Sequence, residues 1–265
     1  MADIDVVLYE RRGPVALVTL NRPDRLNAWT GALGERYFEL LDQAAADPDV
    51  RAIVVTGAGR GFCAGADMAM LQGLGASEGD RARAAGPGKP HWYATTVPKP
   101  VIAAINGACA GLGLVHALMC DVRFAAAGAK FTTAFARRGL VAEHGISWVL
   151  PRLVGPARAL DLLMSGRTFV AEEAASLGLV NEVLPGDQLL DHAMHYASEL
   201  ATFSSPSSMA VMKAQVWGDM NRNLADATEA SIPLMAASLS AADFREGVNS
   251  YVEKRTPNFA PYSAT

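Results

Sequence analysis

Short runs of β-branched and aliphatic residues recur along the chain and alternate with stretches in which apolar residues repeat every three to four positions. The runs predict strands at residues 5–9, 15–20, 53–56, 101–105, 122–126 and 180–184. The first helical stretch begins after Thr30, a good N-cap residue, and its apolar face comprises Leu33, Tyr37, Leu40, Leu41 and Ala44. Strands that alternate with helices predict an α/β core.

The pattern changes after about residue 201, where no further strand signal occurs. Helical stretches at 206–217, 224–240 and 242–255 follow one another. We therefore expect a core of residues 1–200 and a helical C-terminal region of residues 201–265. The apolar positions of this region, among them Ile232, Leu234, Met235 and Leu239, suit either packing against the chain's own core or contact between subunits.

The segment between Gln72 and Pro90 interrupts this alternation. It is rich in glycine, alanine and charged residues and contains little that a core could bury. This composition predicts a mobile loop or a frayed helix.

Composition limits the classes of partner. The chain has 265 residues, 51% of them hydrophobic, and 23 Lys and Arg against 27 Asp and Glu give a net charge of −4. A net acidic chain without a basic cluster argues against a nucleic-acid surface and against a membrane-binding patch. The first residues lack the pattern of a signal or transit peptide, so we expect a cytoplasmic protein that has no membrane partner. An anionic ligand would have to be held by a few placed cations.

The cysteines and histidines show no metal-ligand spacing. Cys63, Cys109 and Cys120 form no CxxC pair, and the five histidines are scattered, so we expect reduced thiols and no metal site. Cys63 and Cys109 lie in glycine-rich turns, where a nucleophile is conceivable. No histidine adjoins either residue in sequence, and we expect both to serve as small packing residues.

Two strand-to-helix turns carry the strongest chemical signal. In the downstream turn (101–121, VIAAINGACAGLGLVHALMCD), glycines at 107, 111 and 113 let the backbone approach a ligand closely ahead of a helix N-terminus. The upstream turn (51–68, RAIVVTGAGRGFCAGADM) has the same form and ends at Asp67, an expected helix N-cap. Glycine-rich turns of this kind also occur as purely structural features, but two of them could supply two N–H donors to one oxygen.

Together with LNRPDRLNA at 20–28 and EKRTPNF at 253–259, these turns resemble the crotonase superfamily, the enoyl-CoA hydratase/isomerase fold, from about residue 6 to residue 259. The resemblance implies a ClpP/crotonase spiral of ββα units with a C-terminal helical trimerisation region, and a homotrimer or a dimer of trimers. It also implies an acyl-CoA thioester as substrate, no further cofactor and a role in fatty acid metabolism.

The resemblance assigns candidate site residues. The backbone N–H groups of Ala66 and Leu112 would hold the thioester oxygen, and leucine, where the family commonly has glycine, would narrow the acyl space. Coenzyme A would be bound by these residues: Arg25, Leu26, Ala28, Ala64, Asp67, Met68 and Lys254. Arg25 and Lys254 could also be ordinary solvated charges.

The chain departs from the hydratase pattern at two positions. Val115 and Phe135 stand where hydratases carry two glutamates, so hydration by a pair of carboxylates is not expected. Glu143, in GLVAEHGISW, instead matches the position of the single acid/base of the enoyl-CoA isomerases. Glu143 could alternatively cap or solvate a loop, but the flanking apolar residues and the register favour a catalytic role. If Val115, Phe135 and Trp148 buried the carboxyl, its pKa would be raised.

Six residues are candidates for the acyl pocket: His91, Trp92, Val115, Phe135, His144 and Trp148. His144 could donate to the substrate, orient Glu143 or be a structural histidine, whereas His116 lies on an apolar helix and is expected in the core. The sequence thus predicts an enoyl-CoA isomerase with Glu143 as its acid/base. Hydration that uses Glu143 and water, and acyl-CoA binding without catalysis, remain the alternatives.

Overall fold

The computed structural model describes residues 5–73 and 88–262. Its larger sheet has six strands. Their order across the sheet is β1 (Val7–Arg12), β2 (Val15–Leu20), β3 (Ala52–Gly57), β5 (Val101–Ile105), β7 (Val122–Ala126) and β10 (Glu182–Leu184). β1 and β2 form an antiparallel hairpin, and the remaining neighbours are parallel. All six strands predicted from sequence are present, with ends shifted by up to three residues.

A second sheet of four short strands lies beside the first. It comprises β4 (Gly61–Cys63), β6 (Ala108–Ala110), β8 (Lys130–Thr132) and β9 (Phe169–Val170), and only the β8–β9 pair is antiparallel. The sequence analysis missed these strands because they have two or three residues each and consist largely of small residues. Strand-run patterns need four or more residues to be recognised.

Helices alternate with the strands along the chain. The described helices before residue 205 are α1 (Gly31–Ala46), α2 (Met68–Gly73), α3 (Leu112–Leu118), α4 (Ile146–Val154), α5 (Pro156–Ser165), α6 (Ala171–Ser176) and α7 (Leu189–Phe203). β3, β4 and α2 form one ββα unit, and β5, β6 and α3 form the next. This repetition confirms the predicted spiral of ββα units and brings equivalent turns side by side.

Helix α1 begins as the sequence predicts. The Thr30 side chain accepts a hydrogen bond from the Leu33 N–H at 3.2 Å, which makes Thr30 the N-cap. The predicted face of Leu33, Tyr37, Leu40, Leu41 and Ala44 is buried against the large sheet. His116 is also in the core, at 3% exposure, as expected.

The C-terminal region is helical, in agreement with the sequence. It consists of α8 (Pro206–Asp219), α9 (Leu224–Ser240) and α10 (Ala242–Glu253). Helix α9 has no buried residue, although it is rich in apolar side chains. Apolar side chains exposed on α9 and α10 include Leu224, Ile232, Leu234, Met235, Leu239, Phe244, Val248, Tyr251 and Val252.

Most of the segment predicted as a loop or frayed helix, residues 74–87, lies outside the residues that the structure describes. Among the helices of residues 5–73 and 88–262, none is long and apolar enough to cross a membrane.

A buried ion pair connects α8 to the core. Lys213 Nζ lies 2.7 Å from Asp121 Oδ2, and the two side chains are 8% and 20% exposed. Lys213 also donates to the carbonyl oxygens of Ala94 and Lys99, while Asp121 accepts the Val101 N–H. Because both charges are largely desolvated, the loss of either one leaves the other poorly compensated.

The substitution Lys213→Met therefore should lower the free energy of unfolding by about 2–4 kcal/mol, since the partly buried Asp121 carboxylate loses its counter-charge. Denaturant titration followed by circular dichroism measures the loss. Lys130→Met, at an exposed lysine of β8, is the control and should change stability by less than about 0.5 kcal/mol. Equal losses in the two variants would contradict a role for the buried pair.

Candidate active site

The two glycine-rich turns meet at one cavity of about 330 Å³, here called the loop cavity. Its lining includes Trp29, Ala64, Gly65 and Ala66 from the first part of the chain and Gly111, Leu112, Thr133 and Phe135 from the second. His91, Arg138, Leu140, Glu143 and His144 complete much of the wall. The three predicted catalytic groups, Ala66, Leu112 and Glu143, therefore line the same space.

The Ala66 N–H is left available by the way its loop is held. Ala66 forms an isolated parallel bridge with Trp29. The Trp29 N–H donates to the Gly65 carbonyl at 2.7 Å, and the Asp67 N–H donates to the Trp29 carbonyl at 2.9 Å. These two bonds fix the peptide units on either side of Ala66. Within the described residues no acceptor receives the Ala66 N–H itself.

The Leu112 N–H is available for a different reason. Leu112 is the first residue of α3, and the N–H of a first helical residue has no acceptor inside its helix. Gly111 precedes it with φ +48°, a left-handed conformation that favours glycine, and the Gly111 N–H donates to the Thr132 carbonyl. The turn thereby directs the helix start at the loop cavity. Leu112 is 7% exposed and lines the cavity wall.

Two glycines allow the turns to come this close. A Cβ on Gly65, which has φ +96°, would lie 2.9 Å from the Ala110 oxygen and 3.7 Å from the Leu112 nitrogen. A Cβ on Gly113 would lie 2.2 Å from the Cys63 oxygen. A side chain at either position would push the two N–H groups apart.

Arg22 holds the upstream turn in place through hydrogen bonds, a role that the sequence analysis missed. Its guanidinium donates to Asp67 Oδ2 at 3.0 Å and to the Ala28 carbonyl. Asp67 Oδ1 accepts the Ala69 N–H at 3.0 Å, which confirms Asp67 as the N-cap of α2. Burial favours the neutral acid, but the hydrogen bonds from Arg22 and Ala69 outweigh it and lower the pKa of Asp67.

The proposed coenzyme residues of the first part of the chain share one ledge beside the loop cavity. The Ala64 N–H donates to the Leu26 carbonyl at 2.9 Å, so residues 25–28 lie along residues 64–68. Arg25 and Met68 are exposed, and Leu26 and Ala28 are partly exposed. Lys254 lies at the end of α10, is exposed and does not line the cavity.

Glu143 is less enclosed than its sequence context suggested. Its side chain keeps 35% of its surface exposed, so Val115, Phe135 and Trp148 do not bury it. The physical reason is that only Phe135 of these three lines the loop cavity. Val115 is fully buried in α3, and the Trp148 ring stacks on Trp217.

Five of the six predicted acyl-pocket residues divide between two cavities, and the buried Val115 lines neither of them. His91, Phe135 and His144 line the loop cavity. Trp92 and Trp148 instead line a cavity of about 750 Å³ that also contains Trp217, here called the tryptophan cavity. Trp92 follows His91 directly and faces the other side of the chain, a distinction that residue type alone does not reveal.

The cysteines are placed as small core residues. Cys63, Cys109 and Cys120 are free and buried. Burial raises the pKa of both Cys63 and Cys120 to about 12, and it also raises the pKa of Cys109. The thiols stay protonated near neutral pH and are poor nucleophiles. In the part of the chain that the structure describes, no three His, Cys, Asp or Glu side chains converge as metal ligands.

The close approach of the turns leads to a stability prediction. Gly65→Ala should lower the free energy of unfolding by about 2–4 kcal/mol, because its Cβ meets the Ala110 oxygen and its φ is positive. Gly128→Ala is a matched control, since Gly128 has φ +72° but open space around it, and should cost only about 1 kcal/mol. Chemical denaturation compares the two variants. Equal losses would contradict the close contact between the turns.

Comparison with known proteins shows the family to which the chain belongs. The sequence profile of the enoyl-CoA hydratase/isomerase family matches residues 10–261. The 1,2-epoxyphenylacetyl-CoA isomerase of Escherichia coli K12 is 35% identical over 262 residues, which cover 97% of this chain and 98% of that protein.

Solved structures give the same result. An enoyl-CoA hydratase from Mycobacterium marinum, known from its crystal structure, is 57% identical in sequence to this chain. The match spans 82% of this chain and 100% of that protein, with a TM-score of 0.70. An enoyl-CoA hydratase from Bacillus anthracis is 29% identical, with 96% and 99% coverage and a TM-score of 0.89. The chain has the crotonase fold and is an enzyme of the enoyl-CoA hydratase/isomerase family.

Proposed function

We propose that the protein is an enoyl-CoA isomerase that uses Glu143 as its single acid/base. The observation that carries this proposal is the composition of the loop cavity. Glu143 is the only carboxylate among its described lining residues, and it shares the cavity with the N–H groups of Ala66 and Leu112. One carboxylate and two N–H donors are sufficient for moving a proton within a thioester.

The mechanism follows from the acidity of a thioester next to its carbonyl. Glu143 removes a proton from a carbon of the bound 3-enoyl group, and the electron pair moves onto the thioester oxygen. The Ala66 and Leu112 N–H groups hold this enolate oxygen. The protonated Glu143 then returns the proton to a different carbon, so the double bond moves and the carboxylate is restored. Each preorganised N–H donor of this kind is typically worth about 10²–10³ in rate.

The coenzyme A part is proposed to bind along the ledge beside the cavity. Residues 25–28 and 64–68 offer backbone groups there, and Arg25 offers an exposed cation for a phosphate. Lys254 is proposed as a second cation, supplied by the same chain or by a neighbouring one. No additional cofactor is needed for this proton transfer.

Hydration is the second candidate, because the Mycobacterium marinum and Bacillus anthracis proteins carry the name enoyl-CoA hydratase. In this chain Glu143 would have to activate water without the second carboxylate, since Val115 and Phe135 occupy the usual positions. The Escherichia coli relative is named a 1,2-epoxyphenylacetyl-CoA isomerase, and an isomerisation needs no added water. Binding without catalysis is a third outcome of the same assay.

We also propose that the chain assembles as a homotrimer or a dimer of trimers through α9 and α10. Helix α9 exposes Ile232 at 55% and Met235 at 57%, and none of its residues is buried within the chain. An apolar helix left uncovered in this way is typical of a subunit contact.

The substitution Glu143→Gln should lower turnover by about 10²-fold or more, because the amide keeps the size of the side chain but cannot accept the proton. The assay follows isomerisation of 3-enoyl-CoA, and exchange of its protons in D₂O, by mass spectrometry. Binding of acyl-CoA should be nearly unchanged. Glu199→Gln, at an exposed glutamate of α7, is the control and should retain full activity.

Three results would contradict the isomerase proposal. Exchange in Glu143→Gln at the wild-type rate would remove Glu143 as the base. Efficient hydration of crotonyl-CoA by wild type would favour the hydratase. Tight acyl-CoA binding with no proton exchange would identify a non-catalytic binding protein.

The assembly proposal predicts a mass of three or six times 27.9 kDa in light scattering at micromolar concentration. The double substitution Ile232→Glu and Met235→Glu should reduce the mass, because charged side chains are unfavourable in an apolar contact. Glu229→Gln, on the same helix, is the control. A wild-type monomer would refute the proposal.

A further inference from the structure

Three histidines from separate parts of the chain form a row of contacts that runs from the wall of the loop cavity into the core. His91 Nδ1 lies 3.0 Å from His116 Nε2, and the His91 ring meets the His144 ring edge to face at 4.2 Å between centroids. His144 Nε2 is 3.8 Å from Glu143 Oε2 on its other side. His91 and His144 line the cavity, while His116 lies in the core. The proposed isomerase mechanism uses none of these imidazoles.

The surroundings of His116 decide where its proton lies. Its ring stacks on Trp29 at 3.8 Å, and its Nδ1 is buried without a hydrogen-bond partner in the described residues. A buried N–H without an acceptor is rarer in proteins than an acceptor without a donor. The proton of His116 is therefore assigned to Nε2, which donates it to His91 Nδ1.

This assignment fixes the form of His91 as well. Because Nδ1 of His91 accepts a hydrogen bond, a neutral His91 carries its proton on Nε2. Burial lowers the pKa of His91 to about 4, and His144 adds to the shift. Burial also lowers the pKa of its two neighbours, His116 and His144. All three imidazoles are therefore favoured in the neutral form.

The Nε2–H of His91 has no hydrogen-bond partner among residues 5–73 and 88–262. Nε2 makes no hydrogen bond to the described residues, and His91 is one of the residues that line the cavity. Among the described lining residues, Phe135 and Leu140 are apolar, and neither the Glu143 carboxylate nor the Thr133 hydroxyl makes a hydrogen bond to His91. A pure hydrocarbon chain that displaced water here would leave this N–H unpaired.

We propose that His91 is a specificity-determining residue whose Nε2–H donates to an oxygen on the acyl part of the substrate. The substrate class is then an acyl-CoA that carries a hydroxyl, ether or carbonyl oxygen beyond its thioester. This inference rests on the proposed function, which assigns the thioester oxygen to Ala66 and Leu112. A site that hydrogen-bonds a substrate oxygen rejects the analogue that lacks it, since its own polar group is left unsatisfied.

Calorimetry with matched ligands tests the proposal. Butyryl-CoA is compared with 3-hydroxybutyryl-CoA and 4-hydroxybutyryl-CoA, and wild type should bind at least one hydroxy ligand about 3- to 10-fold more tightly than butyryl-CoA. His91→Phe keeps an aromatic ring but removes the N–H, so the preference should vanish. His195→Phe, at an exposed histidine of α7, should keep it.

The proposal is overturned if wild type shows no preference for either hydroxy ligand, or if His91→Phe retains it. Proton exchange of 3-enoyl-CoA in the same preparations tests Glu143 chemistry separately. Exchange without a hydroxyl preference would overturn only the role of His91, and a preference without exchange would overturn only the isomerase.

A measurement on the wild-type protein covers the case in which His91→Phe does not fold. Nitrogen-15 NMR should find His91 neutral with its proton on Nε2 throughout about pH 6 to pH 8, where an ordinary histidine titrates. A proton on Nδ1, or titration in that range, would overturn the proposal.

Discussion

The close approach of two backbone turns is the constraint on which the rest of the site depends. β3 and β5 are parallel neighbours in the large sheet, so the turns that follow them emerge side by side. Gly65 and Gly113 then allow backbone contacts that a Cβ would prevent. Two peptide N–H groups from distant parts of the sequence thereby face one cavity. A pair of donors held by the fold needs no reorganisation when charge develops on an oxygen.

The groups around these turns keep them rigid from both sides. On the ledge, Arg22 links Asp67 to the Ala28 carbonyl. On the core side, Trp29 fixes the peptides that flank Ala66 and stacks on His116. Trp29 therefore contacts both the peptides around the Ala66 N–H donor and the His116 ring of the histidine row. The wall proposed to face the acyl group and the wall proposed to face the thioester are parts of one packed unit.

The fold was largely predictable because long strands and amphipathic helices have clear periods. The strands of the second sheet were missed, since two or three small residues have no recognisable period. Ala66, Leu112 and Glu143 could be located through motif resemblance. Arg22 was missed because an arginine in a turn has no sequence sign of its distant partner. The positions of Trp92 and Trp148 could not be predicted either, because residue type does not tell which side of a loop or helix a ring faces.

The most direct test of the central claim is the infrared carbonyl stretch of an acyl-CoA labelled with carbon-13 at the thioester. If the Ala66 and Leu112 N–H groups donate to this oxygen, the bond is polarised, and its stretching frequency should be lower in the complex than in water. The shift should persist in Glu143→Gln, which keeps both donors. A carbonyl frequency equal to or higher than that in water would contradict an oxyanion site formed by the two turns.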